Sequence, residues 1–395
     1  MNLTHKIMVN VFTASFAATL LQRGSYCFTH DVLGFSQAQN LWLALAVGIT
    51  YIGGATASHQ LTARLGERTT LLSVLGGLAV LHGTLVFVSS SAYLVGTLAL
   101  IAFLQGCMWP IFESFISAGE IPADLGKVLS RYNISWALSV PPSMFLAGVL
   151  IASGTPRLLF VAASLLNALV FMWCTTLPSH PSHLEAGHPA RPDPAKLARY
   201  RGLLVSARFA MLGSYMLMYV LAPLMPEIMR NIGFGTAAAA RAASMLDVAR
   251  LASFIGLFAY VGWHGRKTPI LCAILALPVG FGMVLLGSHA PSVICGELVF
   301  GTAAGFVYTA ALYYAQLVQN ASVDAGGAHE ALIGVGYALG PSAGLVGTAL
   351  AGGAGPGSAA YIRGMAIATL PLIIVCSLCA LWPLWRARIT AKRAN

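Results

Sequence analysis

Five glycines and prolines in the second half of this chain recur in the first half at one constant separation of 199 positions: Gly233 with Gly34, Gly265 with Gly66, Gly305 with Gly106, Pro341 with Pro142 and Gly347 with Gly148. The flanks agree, with Leu33-Gly34-Phe35-Ser36 against Ile232-Gly233-Phe234-Gly235 and Gly66-Glu67-Arg68 against Gly265-Arg266-Lys267. Among 41 glycines isolated coincidences are cheap, but a single register held through five anchors is not. The chain must therefore build one unit twice, in the same direction.

That unit belongs in lipid. Apolar residues make up 57% of the chain and charged residues 9%, with a mean hydropathy of +0.78; soluble domains carry about 25% charged residues. Stretches long enough to cross a bilayer of about 30 Å at 1.5 Å per residue fall at 7–29, 39–59, 70–88, 93–117, 133–153, 157–177, 205–229, 242–263, 268–287, 291–316, 331–351 and 362–385. Six lie in each half. The pattern predicts an all-α membrane protein of twelve transmembrane helices in two parallel six-helix repeats, over 1–177 and 205–395. A Pro- and His-containing cytoplasmic linker at 178–204 joins them. Duplicated bundles of this kind are a transporter architecture.

The formal net charge of +10 follows from topology. With the N-terminus inside, cytoplasmic segments hold sixteen of the 22 Lys and Arg, while the opposite face has Arg157, Arg230, Arg241 and Arg363. This positive-inside asymmetry predicts a multi-pass protein of the inner membrane with both termini cytoplasmic. The charges are scattered over short loops, which argues against a nucleic-acid partner. No cleavable leader is read, because the first apolar stretch runs on through Cys27 without a small-residue cleavage site. Six of the seven cysteines lie in apolar spans, so no disulfide framework is expected. Cys376-x-x-Cys379 has no neighbouring His or acid, and His59 and His82 have no partner at ligand spacing; no metal site and no cofactor are expected. A Walker loop and a nucleophile motif are both missing, which excludes ATP-driven transport by this chain alone and argues against an enzyme.

The turn after the second span, His59-Gln60-Leu61-Thr62-Ala63-Arg64-Leu65-Gly66-Glu67-Arg68, resembles the Gly-x-x-x-Asp-Arg-x-Gly-Arg-Arg loop of the major facilitator superfamily. Arg64, Gly66 and Arg68 match it; His59, Ala63 and Glu67 depart from it. The resemblance, which extends to the two six-helix halves, implies the major facilitator fold, alternating access, and a central cavity lined by spans 1, 4, 7 and 10. It implies a gating role for Arg64, Gly66 and Arg68, with Arg131 at the start of span 5 on the same side. The missing Asp removes one partner of the family's inner-gate salt bridge. Gly336-Tyr337-Ala338-Leu339-Gly340-Pro341-Ser342-Ala343-Gly344 is similar to a motif of drug/proton antiporters but lies in span 11 rather than span 5, where close helix packing explains it.

Departures from the repeat mark what the scaffold does not need. Ionisable groups inside spans are costly and usually face a cavity. They are Arg23 in span 1, Glu113 in span 4, Asp247 and Arg250 in span 8, and Glu297 in span 10, opposite uncharged repeat mates Ala222, Leu312, Gly48, Tyr51 and Leu98. Arg23 is a cationic anchor for an anion, since guanidinium pairs bidentately with carboxylate or phosphate, or a structural ion pair. Glu113 follows Trp109-Pro110 and is a proton carrier, or a partner of Arg131. Asp247 and Arg250 are three apart and can pair on one helix face. Asp247 and Glu297 complete the proton-coupling candidates, Glu297 with the alternative of reaching water at the helix end. Tyr26, Trp109, Tyr219 and Tyr308, with Arg250, give the substrate wall hydroxyl, indole and guanidinium donors.

The resulting expectation is a monomeric secondary transporter for a small organic anion or amphipathic metabolite, coupled to protons. The alternatives are proton-antiport efflux and a non-transporting assembly factor or sensor on the same fold.

Overall fold

The computed structural model describes residues 3–88, 90–185, 188–189, 191–222, 224–225, 228–229, 232–234, 244–355 and 358–393; the side chains of Arg23, Cys27, His30, Asp31 and Ala152 and of 387–393 are outside that set. Among the described residues there is no strand, and twelve helices of fifteen residues or more. They are α1 (Leu3–Asp31), α2 (Gln37–Leu65), α3 (Glu67–Thr84), α4 (Ser91–Ser117), α5 (Pro122–Ala152), α6 (Leu158–Cys174), α7 (Pro194–Leu221), α8 (Met245–Ala259), α9 (Thr268–Leu285), α10 (Ala290–Val318), α11 (Val323–Leu350) and α12 (Ala359–Arg393). Nine of these, all but α1, α6 and α8, are long and apolar enough to cross a membrane.

Several helices outrun the apolar spans that mark them. Hydropathy registers only the lipid-buried part, whereas backbone hydrogen bonding continues until a cap stops it. Helix α7 begins at Pro194 because Asp193 accepts a 2.8 Å bond from the Lys196 amide and proline suits the first helical position. The same capping bond holds the exposed Asp193 carboxyl below its ordinary range. Likewise α5 begins at Pro122 and α11 at Val323, about three turns and about two turns ahead of their apolar cores.

The chain divides into two compact units: residues 1–191 with 319–334, and residues 192–318 with 335–395. Inside the first, α2 packs on α4, α1 on α5 and α6, and α3 on α4 and α6. Inside the second, α8 packs on α10, α7 on α12, and α9 on α10 and α12. Four of these pairings map onto each other through the repeat: α2–α4 onto α8–α10, α1–α6 onto α7–α12, α3–α4 onto α9–α10, and α3–α6 onto α9–α12. The anchoring glycines have matching physical roles. Gly66 and Gly265 turn the chain with φ of 81° and 70°, a region costly for any side chain. At Gly106 a Cβ would strike the Tyr51 carbonyl and stand 2.8 Å from the Ala55 nitrogen; at Gly305 it would stand 2.9 Å from the Arg250 carbonyl. Tyr51 and Arg250 are themselves repeat mates, so one close helix crossing is built twice.

Apolar side chains point outward as well as inward. Leu20, Ala147 and Leu159 form a buried seam between α1, α5 and α6, while Val80, Phe87, Phe145, Leu165, Leu275 and Leu378 are exposed. Large exposed hydrophobics scattered along the helices are what lipid contact requires.

Candidate functional site

Each unit contains, among the described residues, a buried cluster that includes charged side chains. In the first unit it forms where α4 and the start of α11 meet α2. Glu113, fully buried, follows the in-helix Pro110 on α4. His329 and Glu330 come from α11, and one ligand-capable atom from each of Glu113, His329 and Glu330 lies within 4.8 Å of the others. The Tyr51 hydroxyl donates to Glu330 Oε2. No N–H or alcohol donor meets the Glu113 oxygens among the described residues; the Glu330 carboxyl stands within hydrogen-bonding reach, a contact that requires the pair to share a proton. Gly326 makes this approach possible: a Cβ there would meet Glu113 Oε2 at 2.5 Å and the Pro110 Cα at 2.9 Å. Ser114 Oγ fastens the same region by donating to the Ala321 carbonyl at 2.7 Å. The Arg131 partner foreseen for Glu113 is replaced by a second carboxylate and an imidazole.

In the second unit the cluster is cationic and aromatic. Arg250 on α8 is buried and directs Nη1 to Met218 Sδ at 3.1 Å; Asp247 Oδ1 stands at 3.9 Å, the far limit of an ion pair. Its guanidinium carbon lies 5.9 Å from the Tyr215 ring centre. Tyr215 in turn neighbours Tyr219, Tyr308 and Tyr337 at 6.5, 6.2 and 6.0 Å, and Tyr219 meets Tyr337 edge-on at 4.1 Å. Four tyrosines from α7, α10 and α11 thus cluster together, three of them (Tyr215, Tyr219 and Tyr308) in electrostatic reach of Arg250, a combination that offers a bidentate donor, hydroxyls and flat apolar walls. Glu297 on α10 is buried rather than reaching water at a helix end, with the Leu246 backbone within hydrogen-bonding reach of its carboxyl. It lies in electrostatic reach of Asp247.

The structure therefore brings together Arg250, Tyr219, Tyr308, Asp247 and, through Asp247, Glu297. Tyr26 and Trp109 are half-buried residues of the first unit; Trp109 packs on Phe112 at 6.3 Å. The Arg23 side chain lies outside the described residues. Sequence reasoning passed over Glu330, His329 and Tyr337. The apolar span of α11 began at 331, which left both polar residues outside it, and the opposite register position of Tyr337 is an ordinary leucine, Leu138.

The gating candidates hold the first unit's turns. Arg64 is exposed in the last turn of α2, where a cation suits the helix dipole. Arg68 donates to the Leu177 carbonyl at 2.9 Å, and Glu67 meets His180 at 2.6 Å, tying the Gly66 turn to the segment after α6. Arg131 is exposed. Its charge opposes the upward pull that burial and neighbouring Asp124 exert on the Glu120 carboxyl.

A model of the Major Facilitator Superfamily matches residues 7–341. The chain belongs to that superfamily. Its solved structural neighbours share this facilitator's fold at low identity. The human organic anion transporter MFSD10 (TETRAN) aligns at TM-score 0.70 and 14% identity, covering 96% of this chain and 98% of that one. The transporter FucP in its outward conformation aligns at TM-score 0.68 and 12% identity, over 96% and 98%, and the proton:xylose symporter XylE at TM-score 0.70 and 13% identity, over 96% and 94%. No curated protein matches the sequence. A multi-pass transporter rather than an enzyme is what the family and the apolar helices establish.

Proposed function

We propose that this facilitator carries a small organic anion across the inner membrane by alternating access, driven by the proton gradient and acting as a monomer with both termini cytoplasmic. The observation that carries the reading is Arg250, buried beside Tyr215 and in electrostatic reach of Tyr219 and Tyr308. A buried guanidinium is retained at a cost. Asp247 stands at the far limit of an ion pair with it, and a guanidinium pairs bidentately with a carboxylate, which is the contact an incoming organic anion would make. The tyrosine faces suit an anion with an apolar or aromatic body. That MFSD10 is named an organic anion transporter fits this class, and that XylE is named a proton symporter fits the coupling.

Glu297 is the proton carrier in this scheme. It is a lone buried carboxylate on the same unit, and Asp247 stands in electrostatic contact with both it and Arg250. Charge on Glu297 is thereby felt, through Asp247, at the anion site. Glu113, the first choice from sequence, sits among a second carboxylate, an imidazole and a phenol, a donor set richer than one proton needs.

The test is flux into proteoliposomes with an imposed pH gradient. One proton carried with each monovalent anion gives roughly tenfold accumulation per pH unit. Accumulation on the alkaline side establishes symport; accumulation on the acidic side establishes antiport. Absence of flux for every anion, with no anion stabilising the purified protein, sinks the proposal.

A further inference from the structure

A carboxylate that carries one proton needs desolvation and little else, as Glu297 has. The cluster of the first unit has more. We propose that Glu113, His329 and Glu330 form a binding site for a divalent transition-metal ion such as Zn2+ or Mn2+, with Tyr51 holding Glu330 from behind. This goes beyond anion transport and rests on different residues.

Three observations point to an ion. First, the donors converge from two helices: one atom from each of the three residues lies within 4.8 Å of the others. Around a tetrahedral ion with bonds of about 2.0–2.2 Å, donors stand roughly 3.4 Å apart. A closure of roughly 1.5 Å, within reach of side-chain rotation, completes the set. Second, Glu113 is fully buried, and what faces its oxygens is the Glu330 carboxyl, which can bond to it only by sharing a proton, in place of an N–H or alcohol donor among the described residues. Gly326 presses its backbone against that carboxylate, close enough that a methyl group would collide with Oε2. The carboxylate is confined to the space it shares with Glu330 and His329. Third, the charges balance. Two carboxylates and one divalent cation sum to zero, whereas two ionised carboxylates alone in an apolar bundle would be strongly disfavoured.

The donor set also selects among ions. One imidazole with two carboxylates suits Zn2+ or Mn2+. Ca2+ asks for six to eight oxygens, and Mg2+ keeps most of its water. The Tyr51 hydroxyl supplies the outer-shell bond that fixes a ligating carboxylate.

The experiment uses full-length protein, purified in detergent and treated with chelator. Co2+ is titrated as a coloured stand-in, followed by displacement with Zn2+, and thermal unfolding is recorded with Zn2+, Mn2+, Mg2+ and Ca2+. The expected result is a visible band saturating at one equivalent per chain and displaced by Zn2+. Unfolding should rise in temperature with micromolar Zn2+ and remain unmoved by Mg2+ or Ca2+ at the same concentration. Glu113→Gln and His329→Gln each abolish the band, and Tyr51→Phe weakens binding roughly 10- to 100-fold. Absence of both band and stabilisation in the unmodified protein overturns the site, as does a band that survives the double substitution. In either case the two carboxylates are left holding protons alone. The unmodified protein's spectrum decides the matter even if the variants fail to fold. An anion that stabilises the protein through Arg250 keeps its effect whichever way the metal titration falls.

Discussion

Tyr51 and Arg250 occupy the same position of the repeat, on the equivalent helices α2 and α8, one at each copy of the same helix crossing. In the first unit that position supplies a phenol to an anionic cluster; in the second it supplies a guanidinium to a tyrosine cluster. The backbone of the crossing is conserved between the copies, since Gly106 and Gly305 touch the carbonyls of those two residues. What differs is the polar group mounted beside it. A duplicated scaffold thus carries a phenol beside carboxylates in one copy and a guanidinium beside tyrosines in the other, on the same kind of helix crossing.

The comparison can be broken first at its shared part. Gly106→Val and Gly305→Val should be equally damaging, because each places a branched side chain against helix backbone. Overpacking costs typically 1–3 kcal/mol and more where backbone must move, so both should lose monodisperse protein on size-exclusion chromatography. A tolerated substitution at one site alone would show that the crossings are not equivalent.

The unshared part comes next. Arg250→Ala should weaken anion binding roughly 100-fold, the scale of a lost charge-assisted contact, while Arg250→Lys keeps the charge, loses the fork and recovers only part of the affinity. Tyr51→Phe, at the mate position, should instead cost about 2 kcal/mol of stability through the lost bond to a buried carboxylate, read as a lower unfolding temperature. Glu297→Gln should abolish the roughly tenfold accumulation per pH unit while leaving anion counterflow intact. Persistence of pH-driven accumulation would move the proton elsewhere.

The smallest effect concerns pH and the turn between α8 and α9. His264 stacks on Tyr313 with ring centres 4.2 Å apart and meets Trp263 edge-on at 4.4 Å. Burial there pushes its imidazole down to about 4. The unfolded chain, with an ordinary value near 6.5, binds this proton where the folded chain does not. Stability contributed by neutral His264 is therefore present above pH 6.5 and drains away as pH falls toward 4. Allowing for its partial exposure, the loss at pH 5 is about 1 kcal/mol. His264→Gln should flatten this part of the unfolding-temperature profile between pH 7 and 5.

Much of the fold was legible because lipid imposes its own grammar. Apolar length reports helices, and the glycines at Gly66, Gly106, Gly265 and Gly305 report turns and crossings that no other residue satisfies. The second unit's cluster was partly legible for a related reason: Arg250 and Asp247 are conspicuous inside an apolar span, and Tyr219 and Tyr308 fall on lining helices. The first unit's cluster was not. Glu330 and His329 lie about two turns inside α11, yet their own polarity moved the apparent span past them. Tyr51 was weighed only as the uncharged mate of Arg250, since a phenol carries no hydropathic signal of what it faces. Contacts between α2, α4 and the start of α11 are three-dimensional facts that no local pattern encodes.

The bonds that clamp the segment after α6 have a mechanical consequence. His180 is held by Glu67, the Ser179 carbonyl by the Arg68 amide, and the Leu184 carbonyl by Asn320 Nδ2 at 3.1 Å. At the far end Asp193 caps α7. Residues 179–184 of the long connection are therefore fastened inside the first unit, to the turn between α2 and α3 at one end and to Asn320 at the other. That stretch belongs mechanically to the first unit and is not slack chain.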